Sequence, residues 1–579
     1  MKLRAPARLI LGGMSLALLC STGLQAQEAQ TGGTLRVLGT AEVDRFDTVP
    51  PATAVVGSFF RATTRQLVSF AASEDPAEQI TPQADLAESL PTPTDDGLTY
   101  TFKLRQGTTW NAPDGARQIV AADVARGFKR LCNPSLPSPS SSYFEDLIVG
   151  FADYCAGFAA IEPTAEAMKA YIEGTDIAGI ETPSDDTVIF KLNYAANDFI
   201  YLLTLPVTTP APVEVLDYLP DSPEYRENYI SNGPYTIDSY VPDSIVRLVR
   251  NPSWDAASDP LRKAYVDQIE VIAGVQPDAA MQQVQSGDGD MLFDINVPPV
   301  TVQMLNATGD ERISTLAEGG SRMIWINTVS QNNDGALQNP LVRQALNYAI
   351  DKAAVVQQYG GPEFATPLNG IFPLGILGHH EFDPYPSENN QGDPEKAKEL
   401  LAEAGYPDGL SLKMAFRNAG TGPAEAQVLQ ASLAEAGFDV ELIPTPPSDY
   451  YARLITNFDN ALNGVWDLAP SGWSPDWPGG AARSIFQPQY TFDGTHGTFN
   501  FSDYNNEEAN KIAEQALVTT DLAEAEKLWS QVDEIVMQDP PTVPLISQTT
   551  VLYHGPDVEN FLPYAAGGNG DWTNVWLNR

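Results

Sequence analysis

The chain has few of the residues on which catalytic and redox chemistry depends. Its 579 residues include only four histidines, and these do not form an HExxH pattern: His379, His380, His496 and His554. A GxSxG elbow, a Walker A loop and a GxGxxG after a predicted strand are also missing. The adjacent pair His379-His380 lacks a third ligand at helical spacing, so we interpret it as incidental rather than as a metal site. We predict no enzyme activity, no cofactor and no metal.

Positive charge is scarce as well. There are 33 lysines and arginines against 75 aspartates and glutamates, which gives a formal net charge of -42. Such a chain repels phosphate backbones and anionic lipid surfaces, so nucleic acid is not expected as a partner. A strongly acidic surface is also typical of a protein that must stay in solution after export.

Long apolar runs and long Gly/Ser-rich or Pro-rich linkers are absent. The short apolar run 9–19 follows three basic residues and precedes small residues, which is the pattern of a signal peptide cleaved after Ala26. The run is too short for a permanent membrane helix. Cys20 suggests an alternative, a lipid-modified N-terminus, but the preceding Leu19 is larger than such sites prefer. We expect an exported protein, periplasmic or at the cell surface, with lipid anchoring the less favoured alternative.

The remaining cysteines are Cys132 and Cys155. An exported protein meets an oxidising compartment, where two cysteines in one local segment favour a disulfide. The sequence has no CxxC spacing and no histidine near them, which argues against a redox or metal role.

Strand and helix patterns both occur along the chain. "GGTLRVLG" predicts a first strand, and "DDGLTYTFKLRQGTTW" and "SDDTVIFKLNY" alternate apolar and polar residues as half-buried strands do. Helical patterns begin at Asn339, where one helix is expected to continue to Gly360, and at Asp393. "LSLKMAF", a helix over 423–436 and "FDVELI" give strand, helix, strand, which predicts a parallel α/β unit. The pattern therefore predicts an α/β or α+β protein of about three interleaved lobes.

The segment "WDLAPSGWSPDWPGG" places Asp476 between Trp473 and Trp477. A carboxylate buried between apolar rings is stable only opposite a cation or several donors, and a ligand ammonium would serve. The structural alternative is an aspartate that caps a turn, with tryptophans that fill the core.

Arg417 is a second candidate ligand residue. It follows the strand "LSLKMAF", and ligands of α/β sheets bind at the carboxyl ends of strands, so Arg417 could hold a ligand carboxylate. The structural alternative is a surface arginine paired with an acidic side chain. Together Asp476 and Arg417 suggest a clamp for a zwitterion.

Several phrases occur in order along the chain: "GGTLRV", "DGLTYTFKLRQGTTW" with "AADVARGFKR", "SNGPYTI" with "RNPSW", "VRQALNYAID" and "GWSPDW". In these the chain resembles the peptide-binding family of solute receptors for ABC importers, which includes dipeptide and oligopeptide binders, and the resemblance covers nearly the whole chain after the signal. It implies a type II periplasmic-binding-protein-like fold, a two-lobed clamp of three interleaved domains within the mixed α/β and α+β class.

The resemblance also implies domain boundaries. After the signal peptide 1–26, domain I would comprise 27–76, 178–300 and 546–579. Domain II, an insert, would cover 77–177, and domain III would cover 301–545.

In peptide-binding relatives an aspartate in the "GW" loop receives the peptide ammonium, and Asp476 matches it. The resemblance further places Trp473 and Trp477 at the pocket, Arg417 at the peptide carboxylate and Glu42 beside the bound chain. It implies a monomer that captures short peptides or similar amino-containing solutes and delivers them to ABC permease subunits. A nickel-chelate or haem carrier on the same scaffold is the alternative; a secreted hydrolase, or a sensory or chaperone-like periplasmic protein, is less favoured.

Overall fold

The computed structural model describes residues 29–50, 56–492, 494–568 and 570–579. The predicted signal peptide, with Ala26 and Cys20, therefore lies outside the described residues. Within these ranges the chain alternates helices and strands, which confirms the mixed helix and sheet class. No helix in the described ranges combines the length and the apolar character needed to cross a membrane.

Most strands are short, and two are much longer than the rest. Their bounds are β1 (Thr34–Leu38), β2 (Val68–Phe70), β3 (Pro82–Ala84), β4 (Thr99–Lys103), β5 (Thr109–Ala112), β6 (Gly115–Gln118), β7 (Ile180–Ser184), β8 (Thr187–Lys191), β9 (Tyr235–Val241), β10 (Ile245–Arg250), β11 (Gln268–Ile272), β12 (Met291–Leu292), β13 (Ile313–Ile326), β14 (Ala365–Pro367), β15 (Leu410–Arg417), β16 (Phe438–Thr445), β17 (Leu468–Trp473), β18 (Thr542–Tyr553), β19 (Val558–Glu559) and β20 (Trp576–Leu577).

The α-helices range from single turns to a helix of 17 residues. Their bounds are α1 (Gly57–Thr63), α2 (Pro76–Gln79), α3 (Ala121–Lys129), α4 (Ser142–Glu145), α5 (Phe151–Ala159), α6 (Ala165–Gly174), α7 (Phe199–Leu202), α8 (Pro223–Glu227), α9 (Pro277–Ser286), α10 (Pro299–Thr308), α11 (Pro340–Ala349), α12 (Lys352–Gln358), α13 (Pro394–Glu403), α14 (Gly422–Glu435), α15 (Pro447–Asp449), α16 (Phe458–Leu462), α17 (Ala482–Tyr490), α18 (Glu507–Val518) and α19 (Leu522–Gln538).

A five-stranded sheet, named sheet A here, contains the predicted first strand. Its order is β12-β1-β11-β10-β9, and β1 runs parallel to both β11 and β12. Leu35 and Val37 of β1 are fully buried, as the two-residue period of a strand requires. Their core also takes in Trp572 and Leu577, so segments far apart in sequence share it.

A three-stranded antiparallel sheet of order β4-β8-β7 forms the centre of a second body, residues 99–207, which we call the insert. Strand β8, which lies past residue 177, pairs with β4 of the predicted domain II along its whole length. Phe199 of α7 also packs on it, with ring centroids 4.7 Å from Tyr100. A disulfide joins Cys132 to Cys155 inside the insert.

A six-stranded sheet, named sheet B, has the order β14-β18-β13-β17-β15-β16. Strands β15 and β16 are parallel and in register from Leu410 opposite Phe438, with α14 as the crossover between them. The predicted strand-helix-strand unit is thereby confirmed. Its helix buries Ala426, Leu429 and Leu433 against the sheet.

The two long strands β13 and β18 connect sheet B with sheet A. They pair antiparallel from Ile313 opposite Tyr553 to Trp325 opposite Thr542. Beyond β18, His554 forms a bridge to Met291 of β12 in sheet A. A two-stranded ribbon therefore links the two sheets.

The single helix expected from Asn339 to Gly360 is wrong, because the structure divides it into α11 and α12. Ile350 is extended, with φ -83° and ψ 124°, which ends α11. The Asp351 side chain then accepts a hydrogen bond from the Ala354 backbone N–H and starts α12. An aspartate cap in the middle of the pattern thus competes successfully with helix continuation.

Candidate functional site

Asp476 lies on the loop between β17 and α17, at the carboxyl end of a strand of sheet B. Pro475 and Pro478 flank it and disfavour regular structure there. Two hydrogen bonds attach this loop to α17. The Trp473 indole N–H donates to the Ser484 carbonyl at 3.0 Å, and the Asp476 backbone N–H donates to the Ser484 hydroxyl at 3.4 Å. These two local contacts therefore fix the position of the loop backbone from which the Asp476 side chain extends.

The Asp476 residue is exposed to solvent, so the expectation of a carboxylate buried between two indole rings is wrong. Trp477 turns into the protein and is 1% exposed, whereas Trp473 is only partly buried and packs edge-on against Phe499. The prolines hold the loop at the protein surface, and only one of the two rings folds under it. Nearby protein atoms still displace part of the water around the carboxylate.

One internal partner of the Asp476 carboxylate is the hydroxyl of Tyr143, which donates a hydrogen bond to it. Among the described residues, no lysine, arginine or histidine nitrogen lies within 4.0 Å of the carboxylate. Loss of hydration raises the pKa of Asp476 above its ordinary value, and the Tyr143 hydrogen bond opposes that shift. Burial, with the Asp476 charge next in weight, raises the pKa of Tyr143 far above its ordinary value, so Tyr143 remains a donor.

A cavity of about 480 Å³ opens beside Asp476. Its walls come from the loop before α1, from the insert, from the Asp476 loop and from the segment before β20. The lining residues are Thr48, Pro50, Gly57, Phe60, Ser138, Pro139, Ser140, Thr204, Leu205, Pro206, Val207, Ser474, Pro475, Asp476, Trp477, Pro478, Ala565, Ala566 and Gly568. Asp476 is the charged residue of this described lining. The site is therefore an apolar cavity between the bodies with one negative group.

The insert contacts the Asp476 loop closely where the loop contains two glycines. A Cβ atom at Gly480 would lie 2.7 Å from ring carbons of Tyr201, and one at Gly479 would lie 3.0 Å from the same ring and 2.6 Å from the carbonyl oxygen of Ile80, which lies outside the insert. Real Cβ atoms do not make such contacts, so the bodies approach this closely because the loop carries no side chains here. The insert and the sheet B body are therefore in close contact at this edge of the cavity.

A buried ion pair crosses the same boundary. Arg483 of α17 places Nε 2.8 Å from Oδ2 of Asp198, and the guanidinium carbon lies 5.6 Å from the Tyr143 ring centroid. The N–H is not aligned with the carboxylate, so the contact is an ion pair without a well-formed hydrogen bond. Burial raises the pKa of Asp198, and Arg483 opposes the shift. Sequence reasoning missed Tyr143, Asp198 and Arg483.

Arg417 lies at the end of β15, as predicted, but it borders a different cavity. That cavity has about 210 Å³ and is lined in part by Arg322, Thr421 and Glu425. The Arg417 guanidinium carbon lies 5.9 Å from the Tyr451 ring centroid. The linings of the two cavities share no described residue, so the structure does not bring Arg417 and Asp476 together as a zwitterion clamp.

Two other predicted residues are also outside the described lining of the Asp476 cavity. Glu42 accepts hydrogen bonds from the Tyr240 hydroxyl and the Asp243 backbone N–H, each at 2.8 Å. Trp473 instead attaches the Asp476 loop to α17, because its indole N–H donates a hydrogen bond to the Ser484 carbonyl. Of the five predicted ligand residues, the cavity thus brings together Asp476 and Trp477.

The histidine pair has local partners in the described structure. His379 Nδ1 lies 2.9 Å from the Phe372 carbonyl oxygen, and His380 Nε2 lies 3.6 Å from Glu534. The described residues contain one group of three potential metal ligands, Cys132, Glu145 and Cys155. Its two cysteines form the disulfide, which leaves no thiolate to bind a metal.

The arrangement of sheets, insert and connecting ribbon is that of the extracellular solute-binding proteins. It superposes on the clavulanic acid biosynthesis oligopeptide binding protein 2 with a TM-score of 0.81 and 25% identity, over 95% of this chain and 96% of that one. It also superposes on the periplasmic binding protein DppA from Helicobacter pylori, described in complex with peptide STSA, with a TM-score of 0.67 and 23% identity, over 95% and 99% of the two chains. The fold class is thereby that of peptide-type periplasmic binding proteins.

The chain belongs to family 5 of the bacterial extracellular solute-binding proteins, whose model matches residues 81–491. Among curated relatives, the glutathione-binding protein GsiB of Escherichia coli K12 is 28% identical over 484 residues, 82% of each chain. The heme-binding protein A of Haemophilus influenzae is 26% identical over 531 residues, 88% of this chain and 87% of the relative. These relatives are solute-binding proteins of ABC importers and not enzymes.

Proposed function

We propose that this receptor captures short peptides, or similar solutes with a free ammonium group, and delivers them to the permease of an ABC importer. The observation that carries the proposal is the state of Asp476. Its carboxylate borders a cavity between the bodies, accepts a hydrogen bond from Tyr143 and has no basic side chain within 4.0 Å among the described residues. A solute ammonium placed there would supply the missing positive charge and strengthen the contact as water leaves.

The mechanism is differential binding to open and closed forms. A solute that touches the Asp476 loop and the insert together binds the closed form more tightly, so binding shifts the population toward closure. Tyr143 and Trp477, whose ring centroids are 5.1 Å apart, connect the two sides in the closed form. The permease would then recognise the closed receptor.

The alternatives differ in the ligands they need. A nickel-chelate or haem carrier commonly offers histidine, cysteine or methionine to the metal, and the described lining of the cavity contains none of these. Peptide-binding neighbours and a cavity with one carboxylate favour the ammonium-bearing solute.

We further propose that the mature protein begins after Ala26, acts outside the cytoplasm as a monomer, and is not lipidated at Cys20. Intact-mass measurement of the secreted protein and light scattering test these points.

The test of the proposed function is the affinity of Asp476→Asn for free-amine peptides, measured by calorimetry. We expect a loss of about tenfold to a hundredfold, because an ion pair that excludes water is replaced by a neutral contact. N-acetylation of the peptide should weaken binding to the native protein to a similar degree. Equal affinity of native and variant protein for the same peptides would contradict the proposal. Asp449→Asn, a change outside the cavity lining, serves as the matched control.

A further inference from the structure

The described lining of the Asp476 cavity has a negative group but no positive one. Its described lining contains one carboxylate, several hydroxyls, and apolar or proline side chains, and it contains no lysine, arginine or histidine. Residues 51–55 and Asn569, which the structure does not describe, are uncharged by sequence. A solute carboxylate inside the cavity would therefore lose water without gaining a counter-charge.

Two arginines near the walls are already neutralised. Arg130, on the α3 side, donates a hydrogen bond to buried Asp47, the residue before lining residue Thr48. Arg483, on the Asp476 side, is paired with buried Asp198. Both guanidinium groups are at most 7% exposed. Neither arginine lines the cavity, so neither is available to a solute carboxylate.

Neutral hydrogen-bond donors do border the cavity. The Ser138 hydroxyl and the Trp477 indole N–H are buried and have no partner among the described residues. Both residues line the cavity. An amide carbonyl has the neutral polarity that such donors match, whereas a carboxylate would also be repelled by the Asp476 charge.

We propose that the cavity selects solutes whose enclosed part carries one ammonium group and no carboxylate: small apolar amines and peptide amides rather than free zwitterionic dipeptides. This inference rests on the proposed function and narrows it to a substrate class. It distinguishes the chain from its glutathione-binding relative, since glutathione carries carboxylates for which this cavity has no partner. A longer free peptide would bind only with its carboxylate held outside the cavity.

The test uses matched probes at pH 7.5: alanyl-leucine, alanyl-phenylalanine and leucyl-phenylalanine, each as the free acid, the C-terminal amide and the N-acetyl amide. Competition in native mass spectrometry, followed by calorimetry, gives the affinities. We expect each amide to bind at least about tenfold more tightly than its acid, and the N-acetyl amides not to bind. Acids that bind as tightly as amides would overturn the inference and leave the proposed function standing. If no free-amine probe binds, or if acetylation has no effect, both fail.

A variant locates the source of the selectivity. Asp476→Asn removes the repulsion of a solute carboxylate but not the cost of its lost hydration, so the amide-to-acid affinity ratio should fall below the native value and stay above one. The matched control Glu435→Gln, at the exposed end of α14, should keep the native ratio. A ratio that stays high in Asp476→Asn would overturn the assignment of the selectivity to this carboxylate.

Discussion

Arg483 and Asp198 form a buried ion pair across the boundary between the sheet B body and the insert. Their Nε and Oδ2 atoms are 2.8 Å apart, and the side chains are 7% and 1% exposed. The two residues belong to the two bodies that line the cavity beside Asp476, although neither residue is part of the described lining. We expect opening of the receptor to separate the two residues, so that this contact would stabilise the closed form.

Asp198→Ala is expected to destabilise the closed form by about 3–5 kcal/mol, since it leaves a buried guanidinium unpaired. Affinity for the solute should fall, and small-angle scattering should show a larger radius of gyration. The double variant Asp198→Leu/Arg483→Met should recover most of the loss, because apolar groups then replace both charges. Lys527→Ala, which breaks an exposed pair with Glu524, is the control and should change neither quantity. Unchanged scattering and affinity in Asp198→Ala would contradict a role in closure.

Gly480→Ala tests whether the glycine is needed for closure. The Gly480 backbone is not in the left-handed region, so alanine is compatible with it, but its Cβ would lie 2.7 Å from the Tyr201 ring. We expect the variant to fold normally and to bind solute at least about tenfold more weakly, because the bodies cannot approach fully. Adding Tyr201→Leu should restore affinity. Gly174→Ala, where the added atom meets nothing within 4 Å, is the control. Native affinity in Gly480→Ala would show that this contact does not limit closure.

Tyr143→Phe tests the hydrogen bond to Asp476 through pH. An ammonium binds the ionised carboxylate, so affinity is present above the pKa of Asp476 and is lost as pH falls through it. The Tyr143 bond lowers this pKa, and burial raises it. Removing the hydroxyl should therefore move the midpoint of the affinity loss to higher pH. Calorimetric titrations between pH 4 and pH 8 measure both midpoints, and a midpoint that stays or moves down would refute the expected sign.

Asp533 should make folding stability depend on pH. It is fully enclosed on α19, where loss of hydration raises its pKa to about 7, although the Ile371 backbone N–H donates to it at 2.8 Å. The nearby groups are His380, whose Nδ1 is 4.0 Å away, and Glu534, which raises the pKa further. Because the folded state binds this proton more tightly than the unfolded state, stability is greatest below about pH 4 and declines until about pH 7.

Asp533→Asn should remove that decline, which for the native carboxylate is on the order of a few kcal/mol. The asparagine oxygen can still accept the Ile371 hydrogen bond, so the core contact is kept. Denaturant unfolding at pH 5 and pH 7.5 measures the difference for each protein. Equal pH dependence in native and variant protein would show that Asp533 is ionised throughout. Glu514→Gln, an exposed residue of α18 that does not act on Asp533, serves as the matched control.

Short-range sequence patterns correctly predicted the parts of the fold that depend on residues close together in the chain. The unit β15, α14 and β16 followed from two apolar strands and an intervening helix, and the structure has it as a parallel pair. The error at residues 339–360 was also local. Asp351 follows an apolar residue and precedes a new helical turn. An aspartate at that position indicates a helix N-cap, but the apolar stripe that continues past it favoured a single helix in the prediction.

The site was only partly predictable because its residues come from distant segments. Asp476 and Trp477 were found from one short motif. Tyr143, which donates to Asp476 across 333 positions of sequence, had no motif of its own. Arg417 and Glu42 had plausible chemistry, yet they border other parts of the structure. Residue type and strand position alone do not specify which loops share a cavity.

The sequence by itself determined the family, the parallel unit in sheet B and the scarcity of groups for catalysis, since these depend on composition, order and short-range periodicity. Only the tertiary structure decided that Asp476 borders a cavity between the bodies, with a tyrosine hydroxyl as partner and no cation in the described lining. The physical reason is that the free energy of a carboxylate depends on the groups within a few ångströms of it. Here those groups come from parts of the chain that folding alone brings together.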